Sequence, residues 1–206
     1  MSGYPAHRLK IMALHWLRHH FPDALLTCEL AIAKYGDALL DVGAILPTEI
    51  YGIEIKGDGD NCSRLQRQGW VYSRCASRMW LLPAPSLRDA AAKHRPRGWG
   101  FIEVVDDELR GEPHGWSMDL PNAPAALVDI LWKSELLTVS GELDINCKSN
   151  WLVGKIAEEV SENSRLCDLR PAVCRALLNR RWESMKPQPK RVWRPGDALP
   201  ELSSIS

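Results

Sequence analysis

The order of apolar patterns predicts an α/β protein: a mixed sheet flanked by helices, followed by a small all-helical C-terminal domain. Three observations lead there. Residues 7–105 alternate helical and strand-like runs, as in a mixed α/β core. Residues 125–183 carry helical patterns and little strand signal. Between them, residues 106–124 are acidic and rich in Pro and Gly, the composition of a linker.

The elements follow in order. Residues 7–20 place Leu9, Met12, Leu14, Trp16 and Leu17 at helical spacing, and Pro22 with Asp23 stops that helix. Residues 25–33 read as a short strand, and 37–57 as two strands joined by a turn. Asp60 or Asn61 caps the next helix, expected to run to about Ser77. Met79 to Leu82 is a short strand closed by Pro83, residues 86–94 a short helix, and Gly98 to Val105 a last strand. Three helices are expected beyond the linker: one in AALVDILWKSELLTV, one in WLVGKIAEEV, and one opened by Pro171 at a favoured first-turn position. The resulting division is a core over 1–110, a linker over 111–124, a helical domain over 125–184 and a disordered tail over 185–206. The third helix would either turn Arg175, Arg180 and Arg181 outward to phosphates or serve as a plain cap.

Composition excludes several classes. The formal net charge is zero, which argues against a binder held by bulk electrostatics. No two of the six Cys form a C-x-x-C pair, so no zinc ribbon is indicated. The first ten residues have no apolar signal-peptide core, and no apolar run is long enough to span a bilayer. A cytoplasmic protein with reduced thiols is expected.

The informative stretch is DALLDVGAILPTEIYGIEIKGDGD, residues 37–60. With a four-residue turn over 46–49, antiparallel partners sum to 95: Ile45 with Ile50, Gly43 with Gly52, Asp41 with Glu54, Leu39 with Lys56. Alternation then puts Leu40, Val42, Ala44, Tyr51, Ile53 and Ile55 on a core face. Asp41, Glu54 and Lys56 share the other, expected to face solvent beside Gly43 and Gly52. Two carboxylates directly opposite lie about 5 Å apart at Cβ and repel unless a cation lies between them. Hard oxygen ligands with open water positions suit Mg²⁺ or Mn²⁺. Lys56 points to the same side, where it can hold an attacking water or offset transition-state charge. Ordinary surface charges on a solvated strand are the plainer reading.

This segment resembles the active site of the PD-(D/E)xK nuclease superfamily, in which an Asp and a Glu-x-Lys on adjacent strands bind Mg²⁺. Asp41, Glu54, Ile55 and Lys56 match that motif. Gln68-x-x-x-Tyr72 resembles the Gln-x-x-x-Tyr signature of RecB-type nucleases, whose Gln and Tyr lie beside the active site. The run EIKGDGDNCSRLQRQGWVYSRCASRMWLL is also similar to small bacterial and phage proteins near MmcB-type DNA repair factors. The likeness covers about residues 25–105. Gly57 departs from it, standing where relatives often have Ser. The resemblance implies a restriction-endonuclease-like core and metal-dependent hydrolysis of phosphodiesters, in DNA or alternatively RNA. Asp41, Glu54 and the Ile55 carbonyl would hold the metal, and Lys56 would position or activate water. A nuclease fold that binds DNA or a protein without cutting is the rival.

Several residues could support such a site. Arg64, Gln68 and Tyr72 form one helical stripe able to border a metal centre and touch nucleic acid. Arg67, Arg74 and Arg78 form a second, and residues 64–97 are locally basic. Glu29 is either a further carboxylate near the metal, as in some relatives, or an exposed strand residue. Asp37 competes with Asp41, whereas Asp58 and Asp60 suit turn and cap roles. His15 and His19 have metal-binding spacing but no further ligand near them.

Overall fold

The apolar runs fold into a six-stranded mixed sheet with helices on both faces, in a computed structural model that describes residues 3–31, 39–113, 123–182 and 192–202. The strands are β1 (Leu25–Ala31), β2 (Leu39–Ile45), β3 (Ile50–Lys56), β4 (Arg78–Pro83), β5 (Gly100–Phe101) and, far along the chain, β8 (Val192–Trp193). Their spatial order is β5-β4-β3-β2-β1-β8. β1, β2 and β3 pair antiparallel, whereas β3, β4 and β5 run parallel. A parallel step needs a crossover. The first is α2 (Leu65–Tyr72) and the second α3 (Arg88–His94), so the chain returns over the sheet twice.

Near the turn the hairpin register is the expected one: Val42↔Ile53, Gly43↔Gly52, Ala44↔Tyr51 and Ile45↔Ile50; the ladder stops before the expected pairs of Asp41 with Glu54 and Leu39 with Lys56. Leu46 N–H donates to the Glu49 carbonyl across the turn. The outer face, expected to be solvated, is not. Every residue of β3 is buried, because α2 roofs that face.

One apolar layer joins Val42, Ala44, Tyr51, Ile53, Ile55 and Trp80 to α1 (Ala6–His20) through Leu9, Met12, Trp16 and Leu17. The opposite layer joins Ile45, Ile50 and Leu81 to Leu65 and Tyr72 of α2 and to the C-terminal helices. Those are α4 (Pro124–Val128), α5 (Lys133–Glu142), α6 (Val153–Glu162) and α7 (Leu166–Leu178). The helical residues therefore share one core with the sheet.

Leu40, expected on the face of Val42, packs in the opposite layer. The cause is a break in the β1–β2 ladder. Pairing runs through Cys28↔Val42 and resumes at Leu30↔Leu40. Between them Glu29 adopts φ 56°, a left-handed conformation costing roughly 1–2 kcal/mol for a non-glycine residue. The strands change faces there, and Glu29 and Asp41 sit in the break.

Several boundaries differ from the expectations. Helix α2 ends at Tyr72 rather than near Ser77. The last predicted strand splits: β5 joins the sheet, while β6 (Glu103–Val105) pairs with β7 (Glu108–Arg110) in a separate hairpin that intrudes on the predicted linker region. Residues 125–139 contribute to two helices, not one. Pro171 lies inside α7, which begins at Leu166; only the one N–H that would reach back a turn is lost. Nor is all of 185–206 a disordered tail: Val192 and Trp193 pair with β1, and Trp193 is buried. Arg18 of α1 fastens this strand by donating to the carbonyls of Trp193 (3.3 Å) and Arg194 (2.9 Å). Asp37 lies outside the described residues.

The basic face expected on the last helix is largely committed elsewhere. Arg180 is buried, donates to Glu135 at 2.7 and 2.6 Å and to the Ile130 carbonyl at 2.8 Å, and lies against the rings of Trp132 and Trp182. Arg175 pairs with Glu142, whereas Arg181 is exposed. Removing one partner of a buried ion pair strands the other charge, at roughly 3–5 kcal/mol. Glu135→Ala is therefore expected to lose that much stability in urea denaturation, and Arg175→Ala less than about 1 kcal/mol. Equal losses would refute the distinction.

Candidate active site

The site begins where the β2–β3 ladder ends. Odd-numbered residues of β3 direct their backbone groups toward β2, since even-numbered Ile50 and Lys56 give their carbonyls to Ser77 and Ala84 on the β4 side. Regular alternation would hand the Ile55 N–H to the Leu40 carbonyl. Instead the Asp41 carboxylate accepts it, at 2.9 Å through Oδ2. A residue's N–H and C=O leave a strand on the same side, so the Ile55 carbonyl also opens toward Asp41.

Glu54 is the neighbouring carboxylate, with 1% of its surface exposed. Its Oε1 accepts from Lys56 Nζ at 2.8 Å, while Oε2 is buried and has no hydrogen-bond donor. Burial, then the Asp41 charge, push the Glu54 carboxyl up to about 8, against a smaller opposing pull from Lys56. The two carboxyls are close enough for a proton on one to bond the other. Lys56 is itself 6% exposed and donates a second bond to Gln68 Oε1 at 3.0 Å. Gln68 reaches it from α2, the crossover helix. One helical turn on, the Tyr72 hydroxyl donates to the Leu39 carbonyl at 2.7 Å and holds the start of β2. Burial, then the charges of Glu54 and Asp41, raise the Tyr72 phenol well above its usual range.

Asp41, Glu54, Ile55, Lys56, Gln68 and Tyr72 are thus brought together. Arg64 is not: it stands exposed at the start of α2. Glu29 lies beside the pair, across Lys10, whose Nζ is 3.1 Å from Glu29 Oε1 and 3.5 Å from Asp41 Oδ1. Sequence reasoning missed Lys10. A signal existed, because a cation at position 10 shares the helix side of Ala13, Leu14 and Leu17, which are all buried. Burial would lower the Lys10 ammonium, but Asp41 and Glu29 outweigh it and raise its pKa. Asp60 accepts the Gly57 N–H at 2.7 Å and Asn61 caps the short turn before α2, as their types suggest. The missing side chain at Gly57 also has a reason: a Cβ there would lie 2.3 Å from the Ala6 backbone nitrogen.

A divalent cation fits this donor set. Two carboxylates face one another, Glu54 buried with a donor-less oxygen and Asp41 half-buried, on the side of the strand to which the Ile55 carbonyl is directed. Among the described residues no three His, Cys, Asp or Glu side chains converge. Asp41, Glu54 and the Ile55 carbonyl would therefore share a cation with water, as suits Mg²⁺.

Comparison with known proteins gives one decisive result. The family model described as bacteriophage P4 protein cII matches residues 5–189. The chain belongs to the bacteriophage P4 protein cII family. No curated protein matches this cII-family chain. A solved structure, the SPO1766 protein of unknown function from Silicibacter pomeroyi, is 22% identical with a TM-score of 0.45, over 61% of this chain and 80% of that one. No helix of the described residues is long and apolar enough to cross a membrane.

The Glu54 carboxyl generates a pH signature in this family member. Between 4.5 and about 8 the folded chain keeps a proton that the unfolded chain has released. Stability therefore falls as pH rises through that window. In chelator, urea denaturation is expected to show this decline in the native protein and a flatter profile in Glu54→Gln. Added Mg²⁺ at pH 8 should restore stability to the native protein only. A pH decline unchanged in Glu54→Gln would show that another group is responsible.

Proposed function

We propose that this chain is a divalent-cation-dependent nuclease, a phosphodiester hydrolase acting on DNA from a restriction-endonuclease-like core. The carrying observation is the buried Glu54 oxygen without a donor, facing Asp41, beside a lysine fixed at two points. The Asp and the Glu-x-Lys on adjacent antiparallel strands, with Gln68 and Tyr72 arriving on the crossover helix, support the likeness to PD-(D/E)xK and RecB-type nucleases.

Hydrolysis joins a water oxygen to phosphorus while the bridging ester oxygen leaves and takes up a proton. A divalent cation, when bound, supplies Lewis acidity toward the phosphate oxygens and neutralises their charge. Asp41 and Glu54 would hold it, with the Ile55 carbonyl. Lys56 uses two of its three N–H bonds on Glu54 and Gln68. The third is left for a phosphate oxygen or the attacking water. Because the ammonium is held before substrate arrives, little reorganisation is needed in the transition state. Tyr72 acts through the backbone, by fixing Leu39 and with it the approach of β2 to Asp41.

One observation favours the rival reading, a nuclease fold that binds without cutting. Lys10 already neutralises the outer side of Asp41 at 3.5 Å. Titrating Mg²⁺ or Mn²⁺ against labelled single- and double-stranded DNA and RNA separates the readings and tests RNA as the alternative substrate.

Cleavage is expected for the native protein and should vanish in Asp41→Ala. Lys56→Ala should lower kcat about 10²–10³-fold, with a smaller effect on cation affinity. Because Glu54 is buried rather than solvent-facing, Glu54→Gln is the safer probe; truncation to Ala would leave Lys56 stranded. Full activity of Asp41→Ala at saturating Mg²⁺ would sink the assignment.

A further inference from the structure

Helix α2 has two functional faces, and only the inner one is used by the site. Gln68 and Tyr72 point inward. The outward side carries Arg67, Trp70 and, just past the helix end, Arg74, spaced i, i+3 and i+7 on one stripe. Trp70 is 54% exposed, in a chain whose other tryptophans include the fully buried Trp80 and Trp99. The Arg74 guanidinium lies 4.8 Å from the Trp70 ring centroid. Arg64 and Arg67 are exposed beside it.

Charge is segregated here although the whole chain is neutral. Residues 61–87 contain four Arg and no Asp, Glu or Lys. Several arginines elsewhere are matched: Arg8 with Asp107, Arg88 with Glu103, Arg165 with Asp168, Arg180 with Glu135. Among the described residues Arg64, Arg67 and Arg74 have no carboxylate partner. Three unmatched guanidinium groups around a solvent-facing indole repel one another mildly and are left for an external anion.

We propose that this stripe is a binding platform for single-stranded nucleic acid, with a base stacked on Trp70 and phosphates against Arg64 and Arg67. This deepens the nuclease reading and rests on it for the identity of the strand as substrate. Phosphates alone would need only the cations. An exposed indole among them favours an unstacked base, whose face is inaccessible inside a duplex. The platform lies on the same helix that positions Lys56 through Gln68, so a strand held there lies within about 12 Å of the site along the helix. An acidic peptide would use the arginines and leave Trp70 idle.

Fluorescence anisotropy of a labelled twelve-nucleotide DNA strand, in chelator to block cleavage, tests this. Trp70→Ala should weaken binding about 5- to 150-fold with the salt slope unchanged. Arg64→Ala with Arg67→Ala should lower that slope by about 0.7 for each phosphate that the protein no longer neutralises. An abasic strand of equal length should bind the native protein and Trp70→Ala alike. Metal-dependent hydrolysis of bis(p-nitrophenyl) phosphate, which offers no nucleobase, should be equal in the native protein and Trp70→Ala. Native-like strand binding by Trp70→Ala would overturn the platform and leave the nuclease reading standing. Equal displacement of the strand by polyglutamate would overturn it too. Trp70-dependent strand binding without any cation-dependent hydrolysis would support the platform and remove the nuclease reading.

Discussion

The Asp41 carboxylate takes the place of a backbone acceptor, and the arrangement around it depends on that substitution. By accepting the Ile55 N–H at 2.9 Å it ends the β2–β3 ladder one residue beyond Val42↔Ile53. The strands can then diverge without leaving a buried donor unpaired. Lys10 Nζ lies 3.5 Å from Asp41 Oδ1 beside this break. Glu29, in its left-handed conformation, makes the matching change on β1. A local break in pairing thus sets the Asp41 and Glu54 carboxyls beside one another.

Burial gives that point its chemistry. On a solvated strand Glu54 and Lys56 would be an ordinary ion pair of small consequence. Under α2 they are 1% and 6% exposed. Glu54 then loses hydration that Lys56 does not replace, and the Asp41 charge opposes its ionisation further. A carboxyl displaced to about 8 is a poor anion by itself and a good partner for a dication. The crossover helix contributes twice, by excluding water and by supplying Gln68 to hold the lysine.

The C-terminal helices belong to the same packing problem. They close the sheet face that α2 covers only in part, and the Arg180–Glu135 pair, flanked by Trp132 and Trp182, secures α7 to α5. In the sequence Arg180 reads as a surface cation, because it follows a helical run among other arginines. Its partners come from residues 130–135, about fifty positions earlier. No local pattern shows such a pairing. The basic, aromatic side of α2 has the opposite character: Arg64 and Arg67 are exposed, and among the described residues they meet no carboxylate.

Local chemistry alone determined much of this protein. Period-two and helical spacing placed α1, the β2–β3 hairpin and β4, and the partners summing to 95 gave the register from Val42↔Ile53 to Ile45↔Ile50. Asp41, Glu54 and Lys56 were legible as a group because alternation within each strand, combined with partners that sum to 95, carries odd residues of β2 and even residues of β3 to one side. Gln68 and Tyr72 followed from helical spacing and a family likeness. Tertiary structure decided the rest. Whether the polar face meets solvent depends on where the crossover helix lies, and whether Leu40 follows Val42 depends on Glu29 in another strand. Lys10 joins Asp41 only through helix-to-sheet packing, and Val192–Trp193 becomes a strand only because β1 offers an open edge. Each of these is an interaction between segments distant in the chain, and its free energy exists only once both are held in place.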